Sequence, residues 1–272
     1  MKKMMAGLTT GLIVAGLLGV PLQAEAQSSL ESPGSPSGET AGADRDFFFQ
    51  RPHFSVSLRG GAFMPRAEGQ FYDSTFERFT MDRGDLNTFT GGADLGIWMG
   101  NHVEVFGSVD MASVTQDSEY RDWVEETDLG ELPITQTTRL RYGPSVSLGV
   151  KGFPLGRGEQ ISQFIWVPAD WSPYLSAGVG AIGYQVEQWG DWVVESGEDI
   201  GLIFSDEFNH EDVTFMSFIG GGLEVTLRPR LGFILDTRYI LGEDRMRGDY
   251  REFDRPLDLS GLRVTAGLSF RL

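Results

Sequence analysis

His53, His102 and His210 are the only imidazoles in the chain, and imidazole is the usual carrier of proton transfer and metal binding near neutral pH. No two of them have metal-ligand spacing, and no His-Glu-x-x-His occurs. His53 and His102 fall at predicted strand starts. His210 has Ser205, Glu207 and Glu211 nearby in sequence, the hydroxyl and carboxylates that a nucleophilic relay needs. No nucleophile elbow accompanies them, so the chain is expected not to be an enzyme. Two acidic clusters offer hard oxygen ligands: Glu119, Asp122, Glu125, Glu126 and Asp128, then Glu195, Glu198, Asp199, Asp206 and Glu207. Neither has the spacing of a calcium loop, so no resident metal or other cofactor is implied. Mutually repelling, solvated loops are the expectation.

Two tripeptides, Arg83-Gly84-Asp85 and Arg247-Gly248-Asp249, match a sequence that engages integrins in animal hosts. Gly-Asp also suits an ordinary turn. Trp189, Trp192, Val193, Val194 and the stretch 200–204 are apolar pieces inside an acidic segment. They would form a lid or a groove for a hydrophobic ligand, or belong to strands that run on and pack together.

The elements that must hold these residues are strands. Residues 1–26 read as a signal peptide: Lys2 and Lys3, an apolar run from Gly7 to Val20, then Ala24-Glu25-Ala26. Residues 27–52 are Ser/Pro/Gly-rich and have the composition of a flexible tether. Residues 53–272 hold eight runs of alternating apolar and polar residues. The last is the most regular, with Leu262, Val264, Ala266, Leu268, Phe270 and Leu272 on one face and Arg263, Thr265, Gly267, Ser269 and Arg271 on the other. Short turns at Gly100-Asn101 and Arg228-Pro229-Arg230 alternate with long connections at 65–86, 115–133, 187–212 and 243–260. The connection at 154–172 breaks this rule by its length, with Ile161 to Val167 read as a small added strand or an interfacial aromatic patch.

Charge follows the same division. The net charge of -17 excludes a nucleic-acid partner. Segment 115–133 has one Arg against seven acids, and 187–212 has nine acids and no Lys or Arg. With no cysteine, the chain has no disulfide framework and no thiolate site. The polar faces of the runs carry both signs: Arg59, Asp94, Glu104, Arg139, Arg141, Lys151, Glu224, Asp236, Arg238, Arg263 and Arg271. An eight-stranded barrel is just wide enough for its side chains to fill it. Mixed charges inside would therefore pair with one another, or line a narrow conduit.

Gly149-Val150-Lys151-Gly152-Phe153-Pro154-Leu155-Gly156, Pro173-Tyr174-Leu175-Ser176-Ala177-Gly178-Val179-Gly180, Asp236-Thr237-Arg238-Tyr239 and the terminal Ser269-Phe270-Arg271-Leu272 resemble the OmpA-like and OmpW-like eight-stranded outer-membrane barrels. The resemblance implies an all-β, antiparallel up-and-down transmembrane barrel in a bacterial outer membrane, with both barrel ends periplasmic and the long loops extracellular. Its partners would be outer-membrane lipid and lipopolysaccharide, the barrel-assembly machinery and a small apolar ligand. The family usually ends on Phe where this chain has Leu272, and no peptidoglycan-binding domain follows the barrel. The expected function is structural, or a narrow conduit or binding site for small hydrophobic compounds. The alternatives are a surface adhesin acting through its acidic loops and, more remotely, a lipid-modifying enzyme using His210.

Overall fold

Alternation over eight segments gives a sheet with one face for lipid and one for the interior, and the sheet closes on itself. The computed structural model describes residues 50–272 apart from Leu129, Ser196 and Glu252. The signal peptide and most of the tether lie outside the described residues.

The barrel strands are β1 (Phe54–Pro65), β2 (Thr88–Trp98), β3 (Val103–Thr127), β4 (Gly130–Gly152), β5 (Trp171–Val193), β6 (Ile203–Arg228), β7 (Leu231–Asp244) and β8 (Gly261–Arg271). Each pairs antiparallel with the next. β1 pairs with β8 from Ser55↔Arg271 to Pro65↔Gly261, which closes the ring. Closure leaves no strand edge at membrane depth, where an unpaired amide or carbonyl would find no water. No helix among the described residues is long and apolar enough to cross a membrane; the strands make the crossing.

The two faces sort as the alternation predicts. Leu58, Leu95, Val109, Leu148, Val179 and Ile219 point outward and are exposed. Ser57, Asp94, Ser108, Ser147, Ser176 and Glu224 point inward and are buried. A band of bare apolar side chains around a closed ring, with polar ones inside it, is the lipid-facing pattern of a membrane barrel.

Two expectations from the sequence are not met. Segments 115–133 and 187–212 are mostly strand, with loop only at their tips. β3 and β4 continue as a hairpin to Thr127 and Gly130, while β5 and β6 remain paired from Trp171↔Val225 to Val193↔Ile203. Of their charges, Glu187, Glu207 and Glu211 face outward on strands that rise beyond the apolar band, whereas Glu195, Glu198 and Asp199 lie in the turn between β5 and β6. In the connection 154–172 the small added strand is present, with a second short strand paired to it. The two form a separate hairpin, Gly158–Ser162 with Ile165–Pro168, at the end of the barrel that holds the short turns.

The second departure is in β4. One extra residue around Gly143-Pro144 bulges the strand opposite Asp110 and Ala112. A bulge moves every later side chain to the other face. Leu140 and Tyr142 are consequently buried inside, and Arg139 and Arg141 face outward instead of joining the interior. Segment 65–86 contains a helix, α1 (Gln70–Arg78), and a short 3-10 turn at Arg83–Leu86. Segment 243–260 contains a second such turn at Gly248–Tyr250.

Candidate functional site

Closing eight inward faces on one axis forces the polar residues of distant strands into contact. Six basic side chains (Arg59, Lys151, Arg157, Arg238, Arg263, Arg271) and five acidic ones (Asp94, Glu104, Asp110, Glu224, Asp236) are buried there. An unpaired charge in such a place costs several kcal/mol, so each must find partners, and each does.

In the middle layer Asp94 is the hub. Its Oδ1 accepts from Arg59 Nη2 at 2.7 Å and from the Ser108 hydroxyl at 2.7 Å. Its Oδ2 accepts from Arg238 Nη2 at 2.9 Å and lies 3.5 Å from Lys151 Nζ. Asp110 joins Arg59 at 2.9 Å and Arg263 at 3.0 Å. Asp236 lies 2.8 Å from Arg238 Nε and accepts from the Tyr174 hydroxyl at 2.7 Å. Phe106 sits between two cations, 4.6 Å from Lys151 Nζ and 4.9 Å from the Arg238 guanidinium.

A second layer closes the end with the short turns. Arg157 enters the barrel from the segment leading into the added hairpin. It bridges Glu104 Oε2 and Glu224 Oε2, the latter at 2.7 Å. Glu224 Oε1 also accepts from Arg271 Nε at 3.0 Å, and Glu104 pairs with Lys151 at 3.1 Å. The Arg157 guanidinium stacks 3.5 Å from the Trp98 ring, and Trp166 of the hairpin packs edge-on against Trp98. Asn101 fixes the approach, donating to Gly158 O at 2.6 Å and accepting from Arg157 N at 3.2 Å. The hairpin and Arg157 are thereby packed into this end of the barrel. Arg157 has no periodicity to betray it in the sequence; the anomalous length of its connection is the only signal.

The opposite mouth is sealed by apolar and aromatic packing. Phe71 and Tyr72 of α1, Phe79, Tyr120, Trp192 and Tyr250 are buried over the inner ends of Phe63 and Tyr142. Phe79 meets Tyr120 at 4.8 Å and Trp192 at 5.9 Å, and Phe71 meets Tyr250 at 5.7 Å, mostly edge to face. The Tyr72 and Tyr142 hydroxyls lie 3.2 Å apart. Burial, then the Tyr142 neighbour, pushes the Tyr72 phenol well above its ordinary value, so it stays a neutral hydrogen-bonding group.

A closed ring with a lipid-facing band outside and paired charges inside decides the architecture. The chain is an eight-stranded transmembrane β-barrel. No family model matches it, and no characterised protein matches it in sequence. Solved structures similar to the barrel include outer membrane protein OprG from Pseudomonas aeruginosa (10% identity, 83% of this chain and 99% of that one, TM-score 0.42). Neisserial surface protein A is similar at 11% identity over 80% of this chain and 97% of that one, TM-score 0.40. Ail of Yersinia pestis, solved with the heparin analogue sucrose octasulfate, is similar at 14% identity over 81% and 100%, TM-score 0.38.

The barrel separates several residues that the sequence groups together. His210 points inward and is buried; its Nε2 is 3.1 Å from the Tyr184 hydroxyl, which donates to Asp244 at 2.9 Å. Ser205, Glu207 and Glu211 lie at odd positions on the opposite face, and Ser205 donates to Asp191. Among the described residues no Ser-His pair forms. Trp189 and Trp192 also part company. Trp192 belongs to the inner seal, whereas Trp189 lies half-buried on the outer face beneath Arg139. Of the stretch 200–204, Ile200, Leu202 and Phe204 are exposed and Ile203 packs on the seal. The strands run on past the apolar band, and Trp192, Val193 and Ile203 pack together on their inner face.

Arg83, Gly84 and Asp85 are exposed on their 3-10 turn, with the Asp85 carboxylate accepting from Asp82 N at 2.7 Å. Arg247 and Gly248 are exposed on the second turn; the Asp249 side chain lies outside the described residues. His53 and His102 are exposed at the barrel end with the short turns. No group of acidic or histidine side chains among the described residues is arranged to hold a metal ion.

Proposed function

We propose that this protein is a non-conducting structural barrel of a bacterial outer membrane, with its short turns in the periplasm and its extended hairpins outside the cell. It acts without catalysis, and its outer strands present an acidic surface toward lipopolysaccharide. One observation carries this reading: every charged side chain that a conduit would expose to water is buried and paired within the barrel. Arg157 stops one end and an aromatic seal stops the other, which supports a plug and leaves little room for even a narrow path. The outward acids of β5 and β6, among them Glu187, Glu207 and Glu211, would meet divalent cations that bridge lipopolysaccharide phosphates.

The test is planar-bilayer recording of the detergent-refolded protein, alongside its heat-dependent shift on an SDS gel. A folded, heat-shifted barrel that gives no discrete current steps is the expected result. Reproducible steps from that same folded material would overturn the plug and restore a conduit for small hydrophobic or polar compounds.

Adhesion is the second reading, because Arg83, Gly84 and Asp85 are exposed on a tight turn. Changing Asp85 and Asp249 together to Glu would retain charge and alter reach. Under the adhesin reading, binding of cells expressing the barrel to integrin-bearing host cells falls at least tenfold. Unchanged binding assigns the two tripeptides to ordinary turns.

A further inference from the structure

We propose that Arg141 anchors the phosphate headgroup of an anionic membrane lipid whose acyl chain lies in the groove formed by Phe89, Gly91, Met111 and Pro144. The proposal rests on the membrane-embedded reading above and names a partner at one place on the wall.

The bulge in β4 creates the site. Below it, Val146, Leu148 and Val150 face lipid; above it, the outward residues are Arg141 and Arg139. Arg141 stands beside Ser113 of β3 and Gln185 of β5, and Gln185 stands beside Glu211 of β6. This is the first polar row above the apolar band, at the height where lipid headgroups lie. The two arginines differ in their partners. Arg139 is paired with Glu187 at 3.1 Å and lies 4.9 Å from the Trp189 ring. Arg141 donates to the neutral Gln185 Oε1 at 3.2 Å, and among the described residues no carboxylate lies within ion-pair distance of it.

Gly143 and Pro144 separate two grooves on the outer wall, and Arg141 borders both. The groove on the β6 side, about 420 Å³, is also lined by Glu211 and Asp212, which repel an anion. The groove on the β2–β3 side, about 480 Å³, has Arg141 as its only charged lining residue. Its walls are Phe89, Met111 and Pro144, apolar surfaces for a hydrocarbon chain. Its floor at Gly91 is open, since a Cβ there would meet nothing closer than 4.0 Å. A guanidinium forks onto a phosphate through two N–H donors, and the attraction gains strength where water gives way to lipid. Charge thus selects one groove, and the apolar walls select a lipid over a soluble anion.

The test is native mass spectrometry of the full chain refolded in micelles, with folding of each variant checked by its heat-shifted band. The probes are a doubly phosphorylated acylated disaccharide lipid, the same lipid without phosphates, and inorganic phosphate. The wild type is expected to retain one phosphorylated lipid and neither of the other probes. Arg141→Gln should lower the retained fraction about tenfold, whereas Arg139→Gln, whose charge is already paired, should change it less than twofold. Gly91→Leu fills the groove without touching the arginine and should also release the lipid. Equal retention by Arg141→Gln, or of the dephosphorylated lipid, overturns the proposal. Lipid still held by Gly91→Leu overturns the groove, and retention of inorganic phosphate overturns the lipid as its source. Failure of the wild type to insert into liposomes would instead sink the membrane reading on which the proposal stands.

Discussion

Asp94→Ala is expected to destabilise the barrel by about 3–5 kcal/mol, the usual cost of leaving buried charge without its partner. Asp94 is 2% exposed and serves three cations at once. Without it, Arg59 keeps Asp110 at 2.9 Å and Arg238 keeps Asp236 at 2.8 Å. Lys151 keeps Glu104 at 3.1 Å. Each cation retains one near partner, yet the interior then holds six basic groups against four acids, and the Ser108 hydroxyl loses an acceptor. Denaturant unfolding of the refolded protein in lipid, followed by tryptophan fluorescence and the heat-shifted band, measures the loss.

The companion substitution makes the cause identifiable. Lys151→Met removes one of the cations that Asp94 serves, so the double variant should be less destabilised than the sum of the singles by at least about 1 kcal/mol, the coupling seen between members of one network. A merely additive pair, or an Asp94→Ala barrel within about 0.5 kcal/mol of wild type, would mean that water already screens the interior. That outcome would count against the plug independently of any current recording.

How much of this interior was legible follows from what alternation can and cannot encode. A period of two assigns faces as long as no residue is inserted, so Arg59, Asp94, Glu224, Asp236, Arg238, Arg263 and Arg271 were readable as inward partners from the sequence alone. The bulge at Gly143-Pro144 broke that count. It placed Arg139 and Arg141 on the wrong face, although a Gly-Pro inside a strand is itself the signature of a bulge. The extended hairpins were hidden by their acidity, because charge density reads as loop. The pattern was nevertheless present: Glu187, Trp189 and Asp191 alternate with Val186, Gln188 and Trp192, the latter set being buried. Arg157 is marked only by the length of its connection. Its role depends on a short hairpin folding back into the barrel end, and nothing local in the sequence specifies where that side chain lands.

Gly267→Val is expected to prevent folding altogether, giving a chain that inserts as no heat-shifted species and migrates as unfolded at every temperature. The seam between β1 and β8 is the last contact needed to close the ring, and its strands approach through glycine. A Cβ at Gly267 would stand 1.9 Å from Leu58 O and 2.9 Å from Arg59 Cα. Gly61, two pairs further along the same seam, is as tight, with Val264 O at 2.1 Å and Thr265 Cα at 2.7 Å. These neighbours are backbone atoms held in the sheet, so no side chain can rotate away to make room. The seam must either open or lose its register. An open seam in lipid leaves a row of amides and carbonyls unpaired, each at a cost of several kcal/mol, so the effect should be a loss of folding and not a graded shift. Ala266→Val supplies the control, because Ala266 neighbours Gly267 on the outward face and an added methyl there meets lipid. It should fold with near wild-type yield. If Gly267→Val folds equally well, the seam is looser than the glycine contacts require, and closure must draw on strand contacts elsewhere in the ring.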